Sequence, residues 1–174
     1  MGTLQTTPAL ERPELLAPPV VDALQAMGDS AVLVAEIDPD LADTAAFCEA
    51  YQVGLNESAN CVVVSGKREG EVRYAACLVL ATTRADVNGV VRRYLDVRKA
   101  SFAPMDTAVA ETGMEYGGIT PIGLPKGWPL LIDARVITTP NVIIGSGVRR
   151  SKLVLPSALL AKLPGAEVVD DLAR

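Results

Sequence analysis

The sequence predicts a mixed α/β (α+β) domain: a barrel-like β-sheet of mixed strand direction, surrounded by helices. Three observations carry this. Short apolar runs of strand character recur from residue 31 to residue 155. Between them lie segments whose apolar residues follow helical spacing. The two kinds do not alternate in regular strand–helix–strand units, so an all-parallel sheet is not expected. The chain has 174 residues, which suits one domain able to bury a core without metals or disulfides. Residues 1–17 are polar and proline-containing. We expect 1–11 as a flexible N-terminus and 12–174 as the single domain.

In chain order, Pro18 and Pro19 open a helix with apolar residues at 20, 24 and 27, and Gly28 lies just past its end. Ala31 to Ile37 reads as a strand, and Asp38-Pro39-Asp40 as a turn. Thr44 to Tyr51 reads as a helix capped by Asp40 or Asp43. Cys61 to Ser65 and Glu71 to Leu80 form an expected antiparallel pair joined by the glycine-containing loop 66–70. Val87, Val90, Val91, Tyr94 and Leu95 make one apolar stripe, so a helix capped by Thr82 or Thr83 is expected there. A short strand over 98–103 and a helix over 105–112, ended by Gly113, follow. Strands are expected at 128–132, 142–144 and 152–155, and a helix from Pro156 to Leu163.

The stretch from Gly117 to Pro125 holds three glycines and two prolines in nine residues. Glycine allows positive φ and close approach of a ligand to the main chain, while proline removes freedom. Such a loop is either a plain rigid turn or a stiff wall that aims backbone groups at a small ligand. Gly145-Ser146-Gly147 follows an apolar strand, and is either a tight turn or a set of N–H groups and one hydroxyl facing an oxygen-rich ligand. Asn60 starts a buried strand. Its amide is either satisfied within the structure or exposed to a pocket.

Composition narrows the chemistry. There is no histidine, which removes Ser-His-Asp and Cys-His catalysis, the usual imidazole zinc site and a histidine base. Cys48, Cys61 and Cys77 read as buried free thiols. No metal or cofactor is expected. The formal charge of −5 argues against coating DNA or RNA, though not against a local contact with one end of a folded RNA. Arg92, Arg93, Arg98 and Lys99 form one basic cluster, and Arg149, Arg150 and Lys152 a second. Each is a solvated face or a phosphate contact. Asp133 reads as an anchor for the neighbouring loop rather than a site group. No apolar run is long enough to span a membrane, and the N-terminus lacks signal-peptide character, so a cytoplasmic location is expected.

With these motifs in view, the chain resembles the YbaK/prolyl-tRNA editing domain family over roughly residues 12–172. The resemblance rests on Thr44–Val53 leading into Ala59–Val64, on Glu115 to Leu124, on Leu130 to Asp133, and on Gly145-Ser146-Gly147 followed by Leu153 to Pro156. It implies a trans-acting hydrolase that cleaves the ester between a wrong amino acid and the tRNA 3′ adenosine, typically on tRNA for proline. The implied partners are a mischarged tRNA 3′ end and an aminoacyl-tRNA synthetase. The implied substrate-binding residues are Gly117, Gly118, Ile119, Thr120 and Pro121, completed by Gly145, Ser146 and Gly147. Gly118 joins the catalytic set. Attack by water, positioned by backbone groups and a ribose hydroxyl, fits a site without histidine.

One departure stands out. The family usually carries a lysine where this chain has Asn60, and asparagine offers a dipole in place of a mobile charge. Lys126, beside the loop, is the sequence-level candidate to replace it, with Asp133 as a possible accessory group. Two alternatives to a tRNA deacylase follow. One is a catalytically silent module that binds an aminoacyl or nucleotide end. The other is a hydrolase of another small acyl ester or amide.

Overall fold

The structure, a computed structural model, describes residues 1–29 and 31–174. Two sheets organise it. The first has four antiparallel strands in the order β1-β2-β8-β7: β1 Thr6–Pro8, β2 Leu33–Glu36, β7 Asn141–Gly145 and β8 Ser151–Pro156. The second has five strands in the order β5-β3-β4-β6-β9: β3 Ala59–Arg68, β4 Glu71–Leu80, β5 Ala100–Phe102, β6 Leu130–Asp133 and β9 Ala166–Val169. In this second sheet β3 pairs antiparallel with β4 and β5, whereas β6 pairs parallel with β4 and β9. A parallel bridge between Ser58 and Ile143 joins the sheets at one corner. The expected mixed sheet with helices outside is thus realised as two sheets sharing a core.

Strand alternation assigns the faces. Ala76, Leu78 and Leu80 of β4, Val142 and Ile144 of β7, and Leu153 and Leu155 of β8 enter the main core. The opposite faces enter two smaller clusters. Ala75, Cys77 and Val79 pack with Val91 and Leu95. Ile143 and Val154 pack with Phe47 and Cys48 of α2, Thr44–Tyr51. This last cluster matters for function, because it leaves α2 lying across the outer face of β8.

Several expectations need correction. Thr6–Pro8, expected to be flexible, pair with β2, and Leu15 and Leu16 are buried. Backbone pairing and those two leucines hold the N-terminal segment to the sheet edge. The β3–β4 hairpin is longer than expected: Gly66 to Arg68 remain paired, so only Glu69 and Gly70 turn the chain. The apolar stripe at 87–95 is a π-helical turn, Val87–Val91, running into α3, Arg92–Leu95. Asp86 caps it by accepting from Gly89 and Val90 N–H, not Thr82 or Thr83. The C-terminal helix is a 3-10 stretch, Ser157–Lys162. The five-residue helix α5, Ala134–Thr138, and the half-exposed strand β9 also lay hidden in the sequence. Helices α1, Pro18–Met27, and α4, Met105–Thr112, stand as read, each closed by a left-handed glycine. Among the described residues, no helix is long and apolar enough to cross a membrane.

Candidate active site

A cleft of about 450 Å³ opens between the two sheets. Its walls come from the start of α2 (Asp43, Thr44), from β3 (Ala59 to Val63), from the end of β5 (Phe102), from α4 (Ala108), and from the loop that follows it (Tyr116, Gly117, Ile119). Gly145 at the end of β7 and Lys152 of β8 close it.

The loop wall is rigid for specific reasons. Glu115 N–H donates to Gly147 carbonyl at 2.8 Å, and Gly147 N–H donates to Gly118 carbonyl at 2.7 Å. The two glycine-containing segments are therefore laced together. A Cβ at Gly145 would lie 2.5 Å from the Gly118 carbonyl oxygen, and one at Gly118 would lie 2.7 Å from the Val148 backbone. Only glycine permits that approach. Arg149 ties the assembly from outside. Its N–H donates to Glu115 Oε2 at 2.9 Å, and its guanidinium donates to the carbonyls of Tyr116 and Pro39 and lies 3.6 Å from Asp43.

The cleft brings together Asn60, Gly117, Ile119 and Gly145 of the residues proposed from sequence. The others sit elsewhere. Gly118 is buried in the lacing just described. Thr120 is fully buried, with its Oγ1 unpaired among the described residues. Pro121 and Lys126 line a different hollow beside Trp128, so Lys126 is no substitute for a lysine in this cleft. Ser146 is fully buried; its Oγ lies 3.1 Å from the Val148 and Ser151 carbonyls and 2.6 Å from Ser151 Oγ. Gly147 packs against Ala17.

Asp133 lies 1% exposed at the end of β6, away from the cleft. It accepts from Arg135 N–H and guanidinium and from Ala173 N–H, an anchor for the C-terminal segment. Burial pushes its pKa up, but these hydrogen bonds outweigh it and hold the carboxyl below its ordinary value.

Asn60 is half-buried, and its Oδ1 accepts from Thr44 Oγ1 at 2.7 Å. The residue that sequence reasoning missed is Lys152. Grouped by sequence with the half-buried Arg149 and the exposed Arg150, it is 9% exposed and lines the cleft. Its Nζ donates to Ala42 carbonyl at 3.0 Å and lies 5.2 Å from the centre of the Phe47 ring. Burial lowers its pKa, and Arg149 adds to the effect, while Cys48 and Asp43 oppose it. The signal was its phase. Lys152 shares a strand face with Val154, in a strand apolar on both faces, so it had to enter the layer under α2.

Of the three thiols expected to be buried, Cys48 and Cys77 are, whereas Cys61 is half-buried and lines the cleft. Burial pushes the Cys61 thiol far up and Cys77 to about 12, so neither is a thiolate near neutral pH.

With this geometry in place, comparison with known proteins gives the lineage. The aminoacyl-tRNA editing domain family matches residues 38–163. This chain belongs to that family. The editing fold is also found in solved structures. One is a candidate trans-editing enzyme for prolyl-tRNA synthetase, 23% identical, with 88% of this chain and 94% of that one covered and a TM-score of 0.75. Another is the hypothetical protein APE2540, 20% identical, with 90% and 99% covered and a TM-score of 0.77. A third comes from computational grafting of linear epitopes onto scaffold proteins, 24% identical, with 88% and 95% covered and a TM-score of 0.75. At these identities the structures support the fold of the editing domain. The cleft lies within the stretch that the family covers.

Proposed function

We propose that this editing domain acts in trans as an aminoacyl-tRNA deacylase, hydrolysing the ester of a mischarged tRNA, with tRNA for proline as the first candidate. The observation that carries the reading is the shared cleft: Asn60, the laced loop at Gly117 and Ile119, and Gly145 border one hollow of about 450 Å³. That volume is of ligand-pocket size. Apolar walls from Val62, Val63, Ala108 and Ile119 suit a small amino-acid side chain. Phe102 and Tyr116, 59% and 53% exposed, flank the cleft and suit stacking of the terminal adenine. Among the described residues, the N–H groups of Gly117 and Ile119 have no hydrogen-bond acceptor, so they are free to receive a carbonyl oxygen.

The chemistry asks little of titrating side chains. An aminoacyl ester is already activated, so holding water and ester in register supplies much of the acceleration. The test is a panel of mischarged tRNAs incubated with purified protein. We expect hydrolysis of at least one, with tRNA for proline charged with a small amino acid the leading case. Hydrolysis of none rejects the reading. Hydrolysis of small acyl esters without any tRNA would move the assignment to a general esterase. The second reading is a silent binding module, suggested by the neutral Asn60; binding of an aminoacyl end without hydrolysis of any mischarged tRNA would favour it.

A further inference from the structure

We infer that Lys152 is the cation of this site, reaching the ester carbonyl of the substrate from β8, on the sheet opposite the Asn60 position. The inference rests on the deacylase reading. Three observations carry it.

First, Lys152 is nine-tenths buried and still lines the cleft. Second, it is under-partnered. An ammonium has three N–H donors, and among the described residues Lys152 has one acceptor, the Ala42 carbonyl, with the Phe47 ring beside it. No carboxylate lies within 4 Å of it among the described residues, and the nearby Asp43 pairs with Arg149. A buried charge without a partner is costly, and an apolar side chain on Phe47 would fill the same space without that cost. Third, Asn60 is neutral and its carbonyl oxygen is engaged by Thr44, so the part of β3 that lines the cleft, Ala59 to Val63, offers it no charge.

An ester carbonyl fits this depth. It presents one small electron-rich oxygen, which suits a cation nine-tenths buried. In the reaction, the oxygen of water bonds to the ester carbon and the C=O π pair moves onto the carbonyl oxygen. The resulting oxyanion is held by the Lys152 ammonium. The proton lost by water passes by way of the vicinal ribose hydroxyl to the leaving ribose oxygen as the ester C–O bond breaks. The products are the free amino acid and a tRNA with its terminal hydroxyl restored.

The experiment compares wild type, Lys152→Met and Lys152→Met/Asn60→Lys on the substrate that wild type hydrolyses best. We expect Lys152→Met to lower kcat 10²- to 10³-fold, the range for loss of one oxyanion partner. KM should stay within threefold, and Tm should be no lower than wild type. The double variant should recover at least tenfold in kcat. A kcat within threefold of wild type overturns the inference. So does a loss confined to KM, which would mark a phosphate contact, or a loss that follows a drop in Tm, which would mark a structural tie to Ala42.

Should wild type hydrolyse nothing, the deacylase reading fails separately, and binding then decides the role of Lys152. The probe is 3′-deoxy-3′-(L-alanylamino)adenosine, which keeps the carbonyl and cannot be cleaved as an ester. Binding at least tenfold weaker in Lys152→Met keeps Lys152 as the carbonyl contact. Equal binding, or none by wild type, rejects it.

Discussion

Lys152 and Asn60 line one cleft from strands of different sheets, one charged and nearly buried, the other neutral and bonded to Thr44. The polar end of the site is thus built where β3, β8 and the start of α2 converge. The consequences beyond that pair can each be measured.

The laced glycines make the loop wall a matter of fold rather than of pocket filling. At Gly145 an added methyl would press on the Gly118 and Ile119 carbonyls, and at Gly118 on the Val148 backbone. Gly145→Ala or Gly118→Ala should cost about 1–3 kcal/mol, as overpacking does. Urea denaturation should show it, with deacylation falling in parallel. A full-stability variant with normal activity would refute the close approach.

Thr120 lies at the heart of the loop with a buried hydroxyl that lacks a partner among the described residues. Replacing it with the near-isosteric valine removes a desolvated polar group. Thr120→Val should raise unfolding stability by about 1 kcal/mol and leave kcat within threefold. A loss of stability would mean that the hydroxyl is satisfied in solution.

Asp133 should show its role through pH. Its folded pKa is held below the ordinary carboxylate value by Arg135 and Ala173. A depressed carboxylate contributes stability that is present above its unfolded pKa and lost as pH falls through the folded one. Asp133→Asn should therefore cost about 2 kcal/mol at pH 7, within the range for charged hydrogen bonds, and the deficit should shrink below about pH 4. Thermal melts of the two proteins from pH 3 to pH 8 would reveal it. A pH-independent deficit would exclude the charge as the cause.

Cys61 borders the cleft, but burial keeps its thiol protonated. Iodoacetamide at pH 7.5 should leave it unlabelled over an hour in the native protein, and Cys61→Ala should deacylate within threefold of wild type. Rapid labelling with loss of activity would restore the thiol as a candidate nucleophile.

Phe102 is more than half exposed at the cleft rim, so its removal should spare the fold. If it stacks the terminal adenine, Phe102→Ala should raise KM roughly tenfold with little change in kcat, matching about 1–3 kcal/mol per stacked base. An unchanged KM would leave Tyr116 as the stacking residue to test next.

Much of this was legible in advance where the cause is local. Helix α1 announced itself by apolar spacing and, like α4, by a closing glycine, and the glycine–proline loop by composition. What stayed hidden had non-local causes. Strand β9, half-exposed, has no apolar alternation to betray it and exists because β6 offers a parallel edge. The π-helical turn at Val87–Val91 carries a helical stripe, and its start was set by Asp86, not by either threonine.

By itself, then, the chain's order of residues determined the mixed α/β class, the stiff loop, the exclusion of imidazole chemistry and the unusual Asn60. Those follow from backbone preferences and side-chain inventories that hold wherever the residues lie. Only the tertiary structure decided which groups meet. It turned Ser146 and Gly147 into the core, put Lys126 beside a different hollow, and carried Lys152 from an apparent basic surface into the cleft. The physical reason is that burial and partnership of a charge depend on which element crosses its strand, and here α2 crosses β8.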